Sequence, residues 1–195
     1  MSGLMPPATL VILLANVAVF LLGISTFGPF SLWPLGPYFE PWQVVTYSFL
    51  HGGLPHIFFN MFALYMFGGP LERLWGTPKF VAYYFASVLA AAAAQLAVTA
   101  MSGSQYPTVG ASGGVFGLLL GFALMFPRER LAIYGILPMP AWLFVTLYGL
   151  LELVMGVTGT QSGVAHFAHL GGMAGGALVL LLWRGRRGPR RLGPV

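Results

Sequence analysis

The chain has 195 residues and a formal net charge of +5, with 57% apolar and only 7% charged residues. An average soluble chain carries roughly 25% charged residues. With a mean hydropathy of +0.82, too little polar side chain is present to cover a water-exposed surface, and a soluble fold is excluded. No Asp and no Cys occur, which removes two-aspartate proteases, Ser-His-Asp triads, disulfides, thiolate nucleophiles, Fe–S clusters and zinc-thiolate sites.

The apolar pattern predicts an all-α membrane protein, a six-helix bundle in one domain over 1–195. Its spans lie at approximately 8–24, 54–71, 80–101, 111–126, 132–155 and 164–183, with a basic tail at 184–195. Each is near the ~17–25 residues that cross a hydrocarbon core, and 111–126 is the shortest. The first span lacks a basic leader and a small-x-small cleavage site, so it reads as a retained helix rather than a signal peptide. The one long connection, Ser25–Gly53, carries Pro29, Pro34, Pro37, Pro41, Trp33 and Trp42 but a single charge, Glu40. Such a segment is expected in the outer interface.

Arg73 and Lys79 lie between spans two and three, Arg128 and Arg130 between four and five, and the other five Arg in the tail. All nine cations thus fall on one side of a six-span topology, which the positive-inside rule makes the cytoplasm. Both termini are expected there, in a multi-pass protein of a bacterial plasma membrane. The tail reads as an anchor at an anionic leaflet, not as a nucleic-acid site.

Polar side chains within spans are costly and are functional candidates. Three sets stand out: His56 with Asn60, Ser112 within Gly110-Ala111-Ser112-Gly113, and His166 with His169. Ser112 precedes Arg128 by 16 residues, His169 precedes Arg184 by 15 and His56 precedes Glu72 by 16. At 1.5 Å per residue all three sit about 22–24 Å above the inner boundary, at one level below the outer surface. Gly113, Gly117 and Gly121 on span four, and Gly171, Gly172, Gly175 and Gly176 on span six, form stripes that permit close helix approach. Facing stripes would carry Ser112 and His169 together.

A serine needs a neighbouring base, and a neutral imidazole suits that task near neutral pH. Backbone N–H groups at the start of a helix, with His56 and Asn60 one turn apart, offer donors for an oxyanion. Phe116, four residues after Ser112, is placed to pack on the imidazole. With no Asp, packing and hydrogen bonds would have to orient His169, giving a dyad. Taken singly, each residue has a plain structural reading: a back-bonded serine, a structural histidine, an asparagine joining helices. Their joint placement favours acyl transfer.

These residues resemble the rhomboid intramembrane serine proteases. Gly110-Ala111-Ser112-Gly113-Gly114-Val115-Phe116-Gly117 looks like the family's nucleophile motif, His56-Ile57-Phe58-Phe59-Asn60 its His-x-x-x-Asn motif, and Ala168-His169-Leu170-Gly171-Gly172 its base motif. The resemblance implies Ser112 as nucleophile and His169 as general base, with His56, Asn60 and the Ser112 backbone N–H at the oxyanion. His51 and His166 match positions often occupied by His and are expected to be supporting, as are Gly110, Gly113 and Phe116. It also implies single-span membrane proteins as substrates, cut near the outer face, and a monomer acting without cofactor or metal. Two departures occur: Trp42-Gln43 where the family often has Trp-Arg, and a displaced Arg in Glu72-Arg73. Both positions look structural.

Hydrolysis in a membrane needs water, so a pocket open to the outer face is expected, lined by His51, His56, Asn60 and His169. The Gly156–Gly163 loop is a candidate lid. Because helical substrates hide their carbonyls, segments rich in Gly, Pro or small residues near their outer end are expected to be cut. A transporter built on the four His is the rival reading. It is disfavoured for want of a carboxylate at site depth, since Glu152 lies 20 residues after Ala132, about 30 Å along a continuous helix and so near the outer interface. A proteolytically dead relative would be expected to lack Ser112 or His169, and zinc proteases to carry HExxH, which is absent.

Overall fold

The computed structural model describes residues 4–24, 26, 28–133, 137–160 and 165–185. Its elements are α1 Pro7–Leu21, α2 Gln43–Thr46, α3 Leu54–Ala63, α4 Gly69–Trp75, α5 Thr77–Ser102, α6 Ser112–Met125, the strands β1 Arg130–Ile133 and β2 Leu137–Pro140, α7 Ala141–Thr158 and α8 His166–Gly185. A five-residue π turn, Leu64–Gly68, joins α3 to α4. Pro70 lacks the N–H that an α-helix would need at that point, and the widened turn accommodates it. The predicted second span is therefore one helical passage with a bulge, from Leu54 to Trp75.

Three helices, Thr77–Ser102, Ala141–Thr158 and His166–Arg184, are long and apolar enough to cross a membrane, and α1 and α6 are shorter apolar helices. Helix α5 lies at the centre. Phe80, Tyr83, Tyr84, Ser87, Val88, Ala91, Ala92, Gln95 and Thr99 are buried along it, at a helical period that places them on one face. The small residues of α5 receive the glycines of both neighbours. A Cβ on Gly113 would overlap Ala91, one on Gly117 would overlap Ser87, and those on Gly171 and Gly175 would overlap Ala94 and Ala90. The two stripes meet each other chiefly where a Cβ on Gly172 would overlap the Gly113 carbonyl. They thus assemble a three-helix core, α5 with α6 and α8, rather than a simple facing pair.

The predicted fifth span needs correction. Residues 130–133 and 137–140 form an antiparallel ribbon with Arg130 opposite Pro140, an exception to the all-α expectation, and the helix starts only at Ala141. Pro138 and Pro140 push the preceding residues into extended backbone, so the apolar run from Ala132 cannot be continuous helix.

The cationic end is compact. Trp75 meets Trp183 edge-on at 5.6 Å between ring centroids, and Lys79 Nζ lies 5.9 Å from the Trp183 ring. Glu72 accepts the backbone N–H groups of Ala8 and Thr9, at 3.0 and 2.8 Å, and the hydroxyls of Thr9 and Thr77. A carboxylate at the start of α1 satisfies otherwise unpaired donors and complements the helix dipole. At the opposite end the aromatic loop folds on itself around Gln43, whose amide accepts Trp33 N–H and donates to the carbonyls of Pro29 and Tyr38. Gln43 thus pins the loop through three backbone contacts at the position where the motif departs from Trp-Arg. Tail residues 186–195 lie outside the described residues.

Candidate active site

Helix α6 has 14 residues, about 21 Å, against a hydrocarbon core of about 30 Å. Its start is therefore recessed. The chain reaches that depth by irregular backbone: α5 ends on left-handed Gly103, which donates to the Thr99 carbonyl. Thr108 and Leu32 then exchange two backbone hydrogen bonds, and Gly110 N–H donates to Tyr47 O at 2.9 Å. Non-helical backbone at membrane depth is tolerated when protein buries it and satisfies its polar groups. Ser112 is the first residue of α6, half-buried.

Ser112 Oγ lies 2.9 Å from His169 Nε2. The His169 ring stacks on Phe116, with centroids 4.2 Å apart and planes 6° from parallel, and the other neighbour of Phe116 is Tyr148 at 5.1 Å. A third ring, His56, also lies close to Ser112. Gly52 N–H donates to its Nδ1 at 3.3 Å, which leaves the ring proton on Nε2. A Cβ at Gly110 would stand 2.7 Å from that Nε2 and 3.6 Å from Ser112 Oγ, and Gly110 has φ +128°. Only a glycine lets the loop run between these two side chains.

Asn60 is buried beside this group, and its Nδ2 donates to the His56 carbonyl one turn earlier at 2.9 Å. His51 is buried against His56, edge to face at 4.9 Å. Burial and the neighbouring His56 pull its imidazole down to about 4.

Glu152 is the residue that sequence reasoning misplaced. Because α7 begins at Ala141, Glu152 lies 11 residues into its helix, about 17 Å, not 30 Å from the inner end. It is buried, and its Oε2 lies 2.9 Å from His169 Nδ1 and 2.7 Å from His166 Nδ1. His166 Nε2 in turn meets the Thr160 carbonyl at 3.1 Å. A carboxylate therefore does stand at site depth. The signal that could have found it was Pro138 and Pro140, which fix where the helix starts. These three side chains also form a potential metal-holding group. Two ligands of a tetrahedral zinc ion stand about 3.3 Å apart, however, and the observed 2.7 and 2.9 Å match charge-assisted hydrogen bonds instead.

One other expectation needs correction. Gly156–Thr158 belong to α7 and left-handed Gly159 caps it, so this part of the expected lid is helix and its cap; 161–163 lie outside the described residues. Two cavities among the described residues, about 490 Å³ between α1 and α3 and about 210 Å³ near Val19 and Phe49, are apolar, and neither is lined by Ser112.

An apolar helical protein with a recessed serine–imidazole pair at the head of a short buried helix defines a class of integral membrane protein. A family profile of the Rhomboid domain matches residues 38–186, and the chain belongs to the rhomboid family. It is 30% identical over 183 residues to the rhomboid protease GlpG of Pectobacterium atrosepticum, covering 91% of this chain and 62% of that protein. It is 28% identical over 192 residues to GlpG of Yersinia pseudotuberculosis, covering 94% and 65%. Against the rhomboid protease GluP of Bacillus subtilis it is 29% identical over 140 residues, covering 70% and 25%. The chain spans between a quarter and about two thirds of the length of these relatives.

Proposed function

We propose that this chain is an intramembrane serine endopeptidase that cleaves membrane-spanning segments of other proteins through an acyl-enzyme. The single observation that carries the reading is the 2.9 Å contact between Ser112 Oγ and His169 Nε2, made between two apolar helices at the recessed end of α6. His169 takes the Ser112 proton as Oγ attacks the substrate carbonyl, and returns it to the leaving amine. Phe116 holds the imidazole plane. The oxyanion is met by the Ser112 N–H, by His56 Nε2–H and by the second amide hydrogen of Asn60, whose first is donated to His56 O.

The orientation follows from charge. Six helical passages leave Arg73, Lys79, Arg128, Arg130 and Arg184 on the cytoplasmic side with both termini, and Ser112 toward the outer side. Substrates are single-span proteins whose outer end unwinds readily, since a helix keeps its carbonyls engaged. The monomer carries all the reacting groups.

Labelling of the purified protein by a fluorophosphonate tests the assignment. Label is expected on Ser112, and neither label nor cleavage of a reporter membrane protein in Ser112→Ala. Full cleavage by Ser112→Ala or His169→Ala would overturn the reading.

A further inference from the structure

We propose that Glu152 is the positioning acid of this site: its Oε2 fixes His169 in the tautomer that accepts the Ser112 proton, and His166 anchors the carboxylate. The inference rests on the reading of Ser112 and His169 given above, and adds to the expected dyad a positioning glutamate from a third helix.

The donor count carries the argument. A carboxylate only accepts hydrogen bonds, so the 2.9 Å contact with His169 Nδ1 places a proton on that nitrogen. His169 Nε2 then holds a lone pair, and it is this atom that faces Ser112 Oγ at 2.9 Å. His166 meets the same Oε2 at 2.7 Å and the Thr160 carbonyl at 3.1 Å, which anchors the carboxylate between two rings. Glu152 and His166 are 4% and 5% exposed, and an unpaired carboxylate so buried would be costly. Held by two imidazoles, it has its partners and one fixed direction.

During acylation the Ser112 Oγ–carbonyl bond forms as the hydroxyl proton moves to His169 Nε2. The imidazolium so created keeps its Nδ1–H on Glu152, which takes up no proton. Breakage of the C–N bond carries the Nε2 proton to the leaving amine. Water then repeats the sequence on the acyl-enzyme, giving its proton to Nε2 and restoring the Ser112 hydroxyl. The carboxylate stabilises the transient charge and prevents the ring from turning its other nitrogen to the serine.

The test uses the full chain reconstituted in liposomes with a reporter membrane substrate. Glu152→Gln, the same shape without charge, is expected to lower kcat by up to about 10⁴-fold, the size of the acid-to-amide effect in a serine triad. KM should move less than about threefold, and Glu152→Asp should recover at least about tenfold of the loss. A change in thermal stability with wild-type kcat per folded molecule would overturn the proposal. Should Glu152→Gln not fold, ¹⁵N-histidine spectra of the wild-type protein decide: a His169 proton on Nδ1 supports it, and one on Nε2 overturns it. Cleavage retained in Ser112→Ala defeats the serine reading and this one with it. Cleavage lost in Ser112→Ala but wild-type in Glu152→Gln defeats only the Glu152 assignment.

Discussion

Gly110 shows how tightly single residues constrain the candidate site. Its φ of +128° and the 2.7 Å between a hypothetical Cβ and His56 Nε2 mean that Gly110→Ala meets both backbone strain and the imidazole. The substitution is expected to cost about 1–3 kcal/mol of stability. It should also lower kcat by about 10²-fold, as for loss of one oxyanion donor, read from steady-state cleavage and thermal unfolding in detergent. A wild-type kcat would show that His56 need not stand where it does. His51 makes a different prediction. With its imidazole at about 4 in the fold against an ordinary value of about 6.5, only the unfolded chain binds that proton between these values. Its contribution to stability is complete above pH 6.5 and falls as pH drops toward 4. His51→Gln should therefore flatten the decline of the unfolding midpoint between pH 7 and 4.5. An unchanged slope would remove His51 as its source.

Among the elements, α1 depends on a carboxylate that is far away in sequence. Glu72 accepts two N–H groups from its first turn and the hydroxyls of Thr9 and Thr77. Glu72→Ala leaves buried donors without partners and is expected to destabilise the fold by about 2–3 kcal/mol, with Glu72→Gln intermediate. Thermal unfolding of the two variants measures this, and equal midpoints would mean that α1 is held by packing alone. The same scale explains which elements were legible. Apolar runs bounded by Gly and charge located α1, α5, α6 and α8 to within about three residues. The run from Ala132 concealed two extended segments, because hydropathy does not distinguish an apolar ribbon from a helix. Pro138 and Pro140 carried that information, and they also displaced the expected depth of Glu152.

Across the described residues, the cations Arg73, Lys79, Arg128, Arg130 and Arg184 and the candidate site occupy opposite ends. Trp75, Lys79 and Trp183 meet at one, and the Leu32–Thr108 pairing closes the other above Ser112. Since the chain has no Cys, single cysteines report orientation without background. Ser104→Cys is expected to react with a membrane-impermeant maleimide added to intact cells, and Glu129→Cys only after lysis. The reverse pattern would invert the proposed topology.

The linear chain by itself determined that the protein is an integral membrane protein and where most of its helices run, and it put a serine and two histidines at one expected level, because hydropathy, charge and helical rise are local properties. The meeting of His56 Nε2, Gly110 and Ser112, and the convergence of His166 and His169 on one oxygen of Glu152, were decided only by tertiary structure. Helix rotation and the true start of α7 arise from packing around α5 and from two prolines, and a residue count assuming unbroken helix contains neither.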